Sequence, residues 1–130
     1  MAYNLKDKVI LIVDDDVDVV TAIQTTIAAA GAKAVVALDG NEAVDIAERE
    51  NPDLVVLDMM LPKRSGFLVL DRLRKGKKKG EKPLIIMITG NLGSRHKTYA
   101  ESLGVLDYIN KPFRMDRLMG SIDKILNPPA

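Results

Sequence analysis

Asp14-Asp15-Asp16, Asp39, Asp58 and Thr89 each follow an apolar run directly, and Lys111 stands two residues past another. Two carboxylates about 4 Å apart repel by roughly 4 kcal/mol at an effective dielectric near 20, so several in one site call for a cation. Oxygen donors without histidine or cysteine select a hard ion, Mg²⁺ or its substitute Mn²⁺. Mg²⁺ keeps several waters and is usually shared with a phosphate. An ammonium and a hydroxyl at the same place would supply charge and a hydrogen bond to phosphate oxygens. The set suits a phosphorylated carboxylate better than redox or acyl chemistry.

Such a set works only if the fold gathers it. Val9 to Val13, Leu54 to Leu57 and Leu84 to Ile88 are unbroken aliphatic runs, the pattern of strands buried on both faces of a parallel sheet. Ala34 to Ala37 and Val105 to Ile109 are weaker strands. Helical stripes lie between them: Val20, Ile23, Ile27 and Ala30 ahead of Gly31; Ala43, Ile46 and Ala47 ahead of Asn51-Pro52; then Phe67, Leu70 and Leu73. A weaker helix covers Ser94 to Leu103, and Leu118, Ile122 and Ile125 mark the last. The βαβαβαβαβα order predicts an α/β, flavodoxin-like, doubly wound (βα)5 fold with a five-stranded parallel sheet in the order 2-1-3-4-5. That order places every residue of the set except Asp39 around one crevice at the carboxyl ends of the strands.

Composition bounds the reading. A chain of 130 residues suits one domain, and 47% apolar with 28% charged residues is too apolar for a disordered chain. A net charge of +1 gives no overall field to gather nucleic acid. No cysteine means no disulfide or thiolate metal site. No apolar run has membrane-span length, and the start from Met1 to Lys6 lacks a signal-peptide core, so a cytoplasmic location is expected.

Ile10 to Asp16, Leu57-Asp58-Met59-Met60-Leu61-Pro62, Ile88-Thr89-Gly90 and Asp107 to Phe113 together resemble the four signature segments of response regulator receiver domains. Ser65-Gly66-Phe67, Pro83 and Gly104 also fit that pattern, and the likeness covers essentially the whole chain. The resemblance implies that Asp58 attacks a phosphohistidine, or a small acyl phosphate, and becomes an acyl phosphate. It implies that Asp14 and Asp15 hold Mg²⁺ with Asp58 and the backbone carbonyl of Met60. Lys111 would pair with Asp58 and then with a phosphate oxygen. Thr89 and Tyr108 would be the switch residues, acting on the face made by helix 4, strand 5 and helix 5. A sensor histidine kinase or phosphotransfer protein would be the donor and a further protein the recipient, with the chain a monomer or weak phosphorylation-dependent dimer. The expectation is one receiver domain over 1–130, with its core over about 8–126 and no output domain after Leu126. Its chemistry would be self-catalysed phosphoryl transfer and autodephosphorylation, not enzymatic turnover.

Plainer readings apply to several residues. Asp16 suits a helix N-cap rather than a ligand. The basic run Arg72, Arg74, Lys75, Lys77, Lys78, Lys79 and Lys82 reads as a solvated connection, without the aromatics of a nucleic-acid module. His96, the only histidine, reads as a surface residue. Val105-Leu106 and Gly90 depart from the commonest family pattern, which bears on partner choice and switching. Met60 offers no group to activate water, which predicts a fairly long-lived phosphoryl state. Two rival functions share the residues: an aspartate-nucleophile phosphohydrolase using Asp14 and Asp16, which Asp18 fits poorly, and a receiver-like binding module that is not phosphorylated.

Overall fold

The computed structural model describes residues 3–90 and 94–129; Met1, Ala2, Asn91 to Gly93 and Ala130 lie outside them. Strands and helices alternate as β1 (Val9–Val13), α1 (Val17–Ala29), β2 (Lys33–Ala37), α2 (Gly40–Glu50), β3 (Leu54–Asp58), α3 (Gly66–Arg74), β4 (Leu84–Thr89), α4 (Ser94–Ser102), β5 (Asp107–Asn110) and α5 (Met115–Leu126). All strand pairs are parallel and the order is β2-β1-β3-β4-β5, as the apolar runs predicted.

The runs lack alternation because both faces of the sheet are covered. Leu11, Val13, Val55, Leu57, Ile85 and Met87 pack against residues of α2 and α3 and against Ala100 of α4. Ile10, Ile12, Leu54, Val56, Ile86 and Ile88 face Ile23 and Ile27 of α1 and Leu118 and Ile122 of α5. Burying one such side chain contributes about 1.5–3 kcal/mol, so each face is a core in its own right.

Local chemistry sets the helix limits. Asp16 accepts from the amides of Asp18 and Val19, Asp39 from Glu42 and Ser65 from Leu68, which satisfies open donors at the starts of α1, α2 and α3. Gly31 (φ 101°) turns the chain out of α1, and Asn51 (φ 45°) does the same for α2 ahead of Pro52. Near the chain ends, the Leu5 amide bonds the Ala30 carbonyl at 2.8 Å and the Asn127 side-chain amide bonds the Asn4 carbonyl at 2.7 Å.

Two expectations change. Val105 and Leu106 precede β5 instead of opening it: the Val105 amide closes the end of α4 on the Ala100 carbonyl, and Leu106 bonds Ile85. Val105 is apolar because it is buried, not because it is extended. The basic connection after α3 is exposed at its lysines, but Arg74 is turned into the interior at 7% exposure. His96 is exposed as expected, with its ring 5.4 Å from that of Phe67.

Candidate functional site

The register builds the site. Val13 is level with Leu57, Asp58 with Ile88, and Thr89 with Asn110, so Asp14, Asp58, Thr89 and Lys111 arrive together at the carboxyl ends of β1, β3, β4 and β5. The Lys111 amide bonds the Thr89 carbonyl at 2.7 Å and the Met59 amide bonds the Ile88 carbonyl at 3.1 Å, which extends the ladder past the strand ends. Gly66 makes the return from β3 to α3 possible. A side-chain carbon there would press on the Asp58 carbonyl and lie 2.6 Å from the Met59 Cα.

Asp14 is fully buried, Asp58 nearly so, and Asp15 is exposed. Each of the three offers a carboxylate oxygen within 4.8 Å of the others. Lys111 Nζ donates to Asp14 Oδ2 at 2.7 Å and to Asp58 Oδ2 at 3.2 Å. The remaining oxygens are also engaged: Asp14 Oδ1 accepts from the Asp16 amide at 2.9 Å and Asp58 Oδ1 from the Met60 amide at 3.1 Å. The Met60 side chain is 61% exposed beside this cluster.

Burial pushes the Asp58 carboxyl up, the neighbouring Asp14 charge adds to that, and the Met60 amide and Lys111 oppose it. Burial alone would lower the Lys111 ammonium, but its bond to Asp14 and the charge of Asp58 raise it on balance. The site therefore carries more negative charge than one ammonium offsets, with two of its three carboxylates buried. Oxygen-only donors at this spacing fit Mg²⁺, with Asp14, Asp15 and Asp58 as the residues that would hold it.

Thr89 is fully buried and Tyr108 half-buried. Burial raises the Tyr108 phenol and a side-chain hydrogen bond with Thr89 opposes that. The phenol also lies 3.7 Å from the Met59 sulfur, and its ring packs on the α2/α3 side of the sheet. Thr89 and Tyr108 are thus linked side chain to side chain, which spacing along the chain gave no means of seeing.

Asp16 and Asp39 are absent from the cluster. Both cap helices, and Asp39 also pairs with Lys63 at 3.4 Å. The hydrolase arrangement with Asp14 as nucleophile meets an obstacle here, since Asp16, its second aspartate, is committed to capping α1. Among the described residues, no helix is long and apolar enough to cross a membrane.

Comparison with known proteins identifies the family and the fold. The sequence profile of the response regulator receiver domain matches residues 10–123. The chain is 38% identical over 120 residues to the alkaline phosphatase synthesis transcriptional regulatory protein PhoP of Bacillus subtilis, covering 92% of this chain and 49% of that protein. It is 37% identical over 123 residues to the probable transcriptional regulator ycf27 of Cyanophora paradoxa, covering 95% and 50%. The chain thus spans about half the length of the curated relatives it matches. Among solved structures, the BeF3-activated N-terminal receiver domain of Klebsiella pneumoniae RstA superposes with a TM-score of 0.81 at 28% identity, covering 92% of this chain and 98% of that one. A CheY-like receiver domain protein from Methanospirillum hungatei JF-1 gives 0.81 at 28% identity, covering 92% and 94%. Fold, crevice and sequence coincide: the chain belongs to the response regulator receiver domain family of two-component signalling systems.

Proposed function

We propose that Asp58 accepts a phosphoryl group from the phosphohistidine of a sensor histidine kinase or phosphotransfer protein, or from a small acyl phosphate. The observation that carries this is the placement of Asp58, nearly buried at the end of β3 and bonded to Lys111, with Asp14 and Asp15 within reach of a shared cation.

An Asp58 oxygen forms a bond to phosphorus as the phosphorus–nitrogen bond of the donor breaks, and the electron pair leaves on the imidazole, which takes up a proton. The Met60 amide holds one Asp58 oxygen, so the carboxylate is oriented before the donor arrives. Lys111 moves its bond from Asp58 to a phosphoryl oxygen. Asp14, Asp15 and Asp58, with the Met60 carbonyl, would hold Mg²⁺, which supplies positive charge to the transferring group. Thr89 then follows the phosphoryl group, and Tyr108 moves with it because the two side chains are bonded. That shift changes the face of α4, β5 and α5 presented to a downstream protein. The chain acts on itself and would not turn over a diffusible phosphate ester.

The test is intact mass after incubation with acetyl phosphate. One phosphoryl group is expected with Mg²⁺, none with EDTA, and none in Asp58→Asn. Incorporation that survives this substitution, or rapid hydrolysis of p-nitrophenyl phosphate, defeats the proposal.

A further inference from the structure

Arg74 carries a charge that the fold buries and does not balance. Its Nη1 donates to the carbonyls of Glu81 at 2.6 Å and Pro83 at 3.3 Å, and its Nη2 to that of Lys78 at 2.8 Å. These acceptors are neutral. Among the described residues no carboxylate pairs with the guanidinium, and its Nε is buried with no hydrogen-bond partner. A cation at 7% exposure without a counter-charge is costly, and such a group is usually paired.

The same side chain lines a cavity of about 440 Å³ between the α3–β4 connection and the end of α4, with Lys77, Lys79, Glu101, Gly104 and Leu106. It lies at the amino ends of β4 and β5, the opposite end of the sheet from Asp58. Gly104 (φ 94°) lets the chain pass against the guanidinium: a side-chain carbon there would lie 3.2 Å from Nε and 3.1 Å from Nη2.

The charge around this cavity is one-sided. Glu81, in the loop that bonds Arg74, forms no ion pair among the described residues, and its carboxylate accepts from the Lys78 amide at 3.0 Å. Lys77 and Lys79 are exposed and form no ion pair among the described residues. Three cations therefore face one carboxylate, Glu101, on the cavity wall. The carboxyl end of α4 adds about half a negative charge, which does not reverse the sign. The volume falls in the range of small-molecule sites, about 300–1,000 Å³.

We propose that this cavity binds a small compound carrying two or more linked phosphates, with Lys77 and Lys79 on the phosphate oxygens and the buried Arg74 charge behind them. Inorganic pyrophosphate is the simplest such ligand. Phosphates of a nucleic-acid backbone share this chemistry, and the experiment separates the two sources.

The ¹⁵N-labelled full chain is titrated with pyrophosphate in metal-free buffer and followed by amide NMR shifts. Saturable shifts are expected at Lys77 to Gly80 and at Gly104 to Leu106, with a midpoint near or below about 1 mM. The Lys77→Gln/Lys79→Gln variant should bind about tenfold more weakly or worse, while Lys6→Gln/Lys33→Gln and Asp58→Asn bind as the wild type does. The lysine pair is chosen because loss of Arg74 would also unbind three carbonyls and endanger folding. Absence of saturable shifts, shifts centred on Lys111, or equal weakening by both lysine pairs overturns the site. A short DNA duplex that shifts these amides where pyrophosphate does not overturns the small-ligand assignment.

Discussion

Lys111 bonds Asp14 at 2.7 Å, a shorter contact than the one it makes with Asp58. Its ammonium therefore occupies part of the acidic cluster that would hold a divalent cation, and two cations there repel. Lys111→Met should tighten Mg²⁺ binding about three- to tenfold, measured by calorimetry, because a like charge is removed. The same variant should slow phosphoryl incorporation from acetyl phosphate by about a hundredfold. Unchanged Mg²⁺ affinity would show that Lys111 and the metal do not compete.

Gly66→Ala tests how tightly the phosphorylation loop is folded on itself. The added carbon would meet Asp58 and Met59 backbone, which cannot swing aside as a side-chain tip can. The expected loss is about 2–4 kcal/mol in urea denaturation, or failure to fold. A variant within about 0.5 kcal/mol of wild type would mean that this loop yields readily.

The β5–α5 contact should report on pH. Burial alone would raise the Asp107 carboxyl, but bonds from Arg117, Ser121 and the Tyr108 amide outweigh it and hold the group at about 2. A depressed carboxyl stabilises the fold fully above its ordinary value of 3.8 and loses that contribution as pH falls through about 2. Asp107→Asn should cost about 1 kcal/mol at neutral pH, a figure kept low because Arg117 is half-exposed. The gap between the two urea midpoints should close on acidification. A gap that persists at the acid end would assign the effect to packing.

Met60→Asn addresses the lifetime of the phosphoryl group on the proposed reading. Met60 is 61% exposed next to Asp58 and carries a thioether, a poor partner for water. An amide there can orient water toward phosphorus, so phosphate release should quicken by about threefold to thirtyfold. An unchanged time course would place control of the lifetime elsewhere.

Much of this was legible in the sequence for definite reasons. Unbroken apolar runs imply two covered faces, and helices between them imply parallel strands, so the crevice and its residues follow from topology. The site's inner wiring did not follow. The hydrogen bond of Thr89 with Tyr108 and the sharing of Lys111 between Asp14 and Asp58 depend on side-chain reach across strands, which spacing does not encode. Arg74 was lost in a run of lysines, because composition marks a charged connection as solvated whichever member turns inward. Val105 misled in the opposite sense, since burial in a turn and burial in a strand select the same residue type.

The hydrogen bond between Asn127 and the Asn4 carbonyl brings the described head and tail of the chain side by side, at the pole of the sheet remote from Asp58. Chain continuing from either described end would leave the molecule on that side. The same adjacency permits cyclic rearrangement of the gene, with a short splice across the old ends and new ones opened in an exposed loop elsewhere.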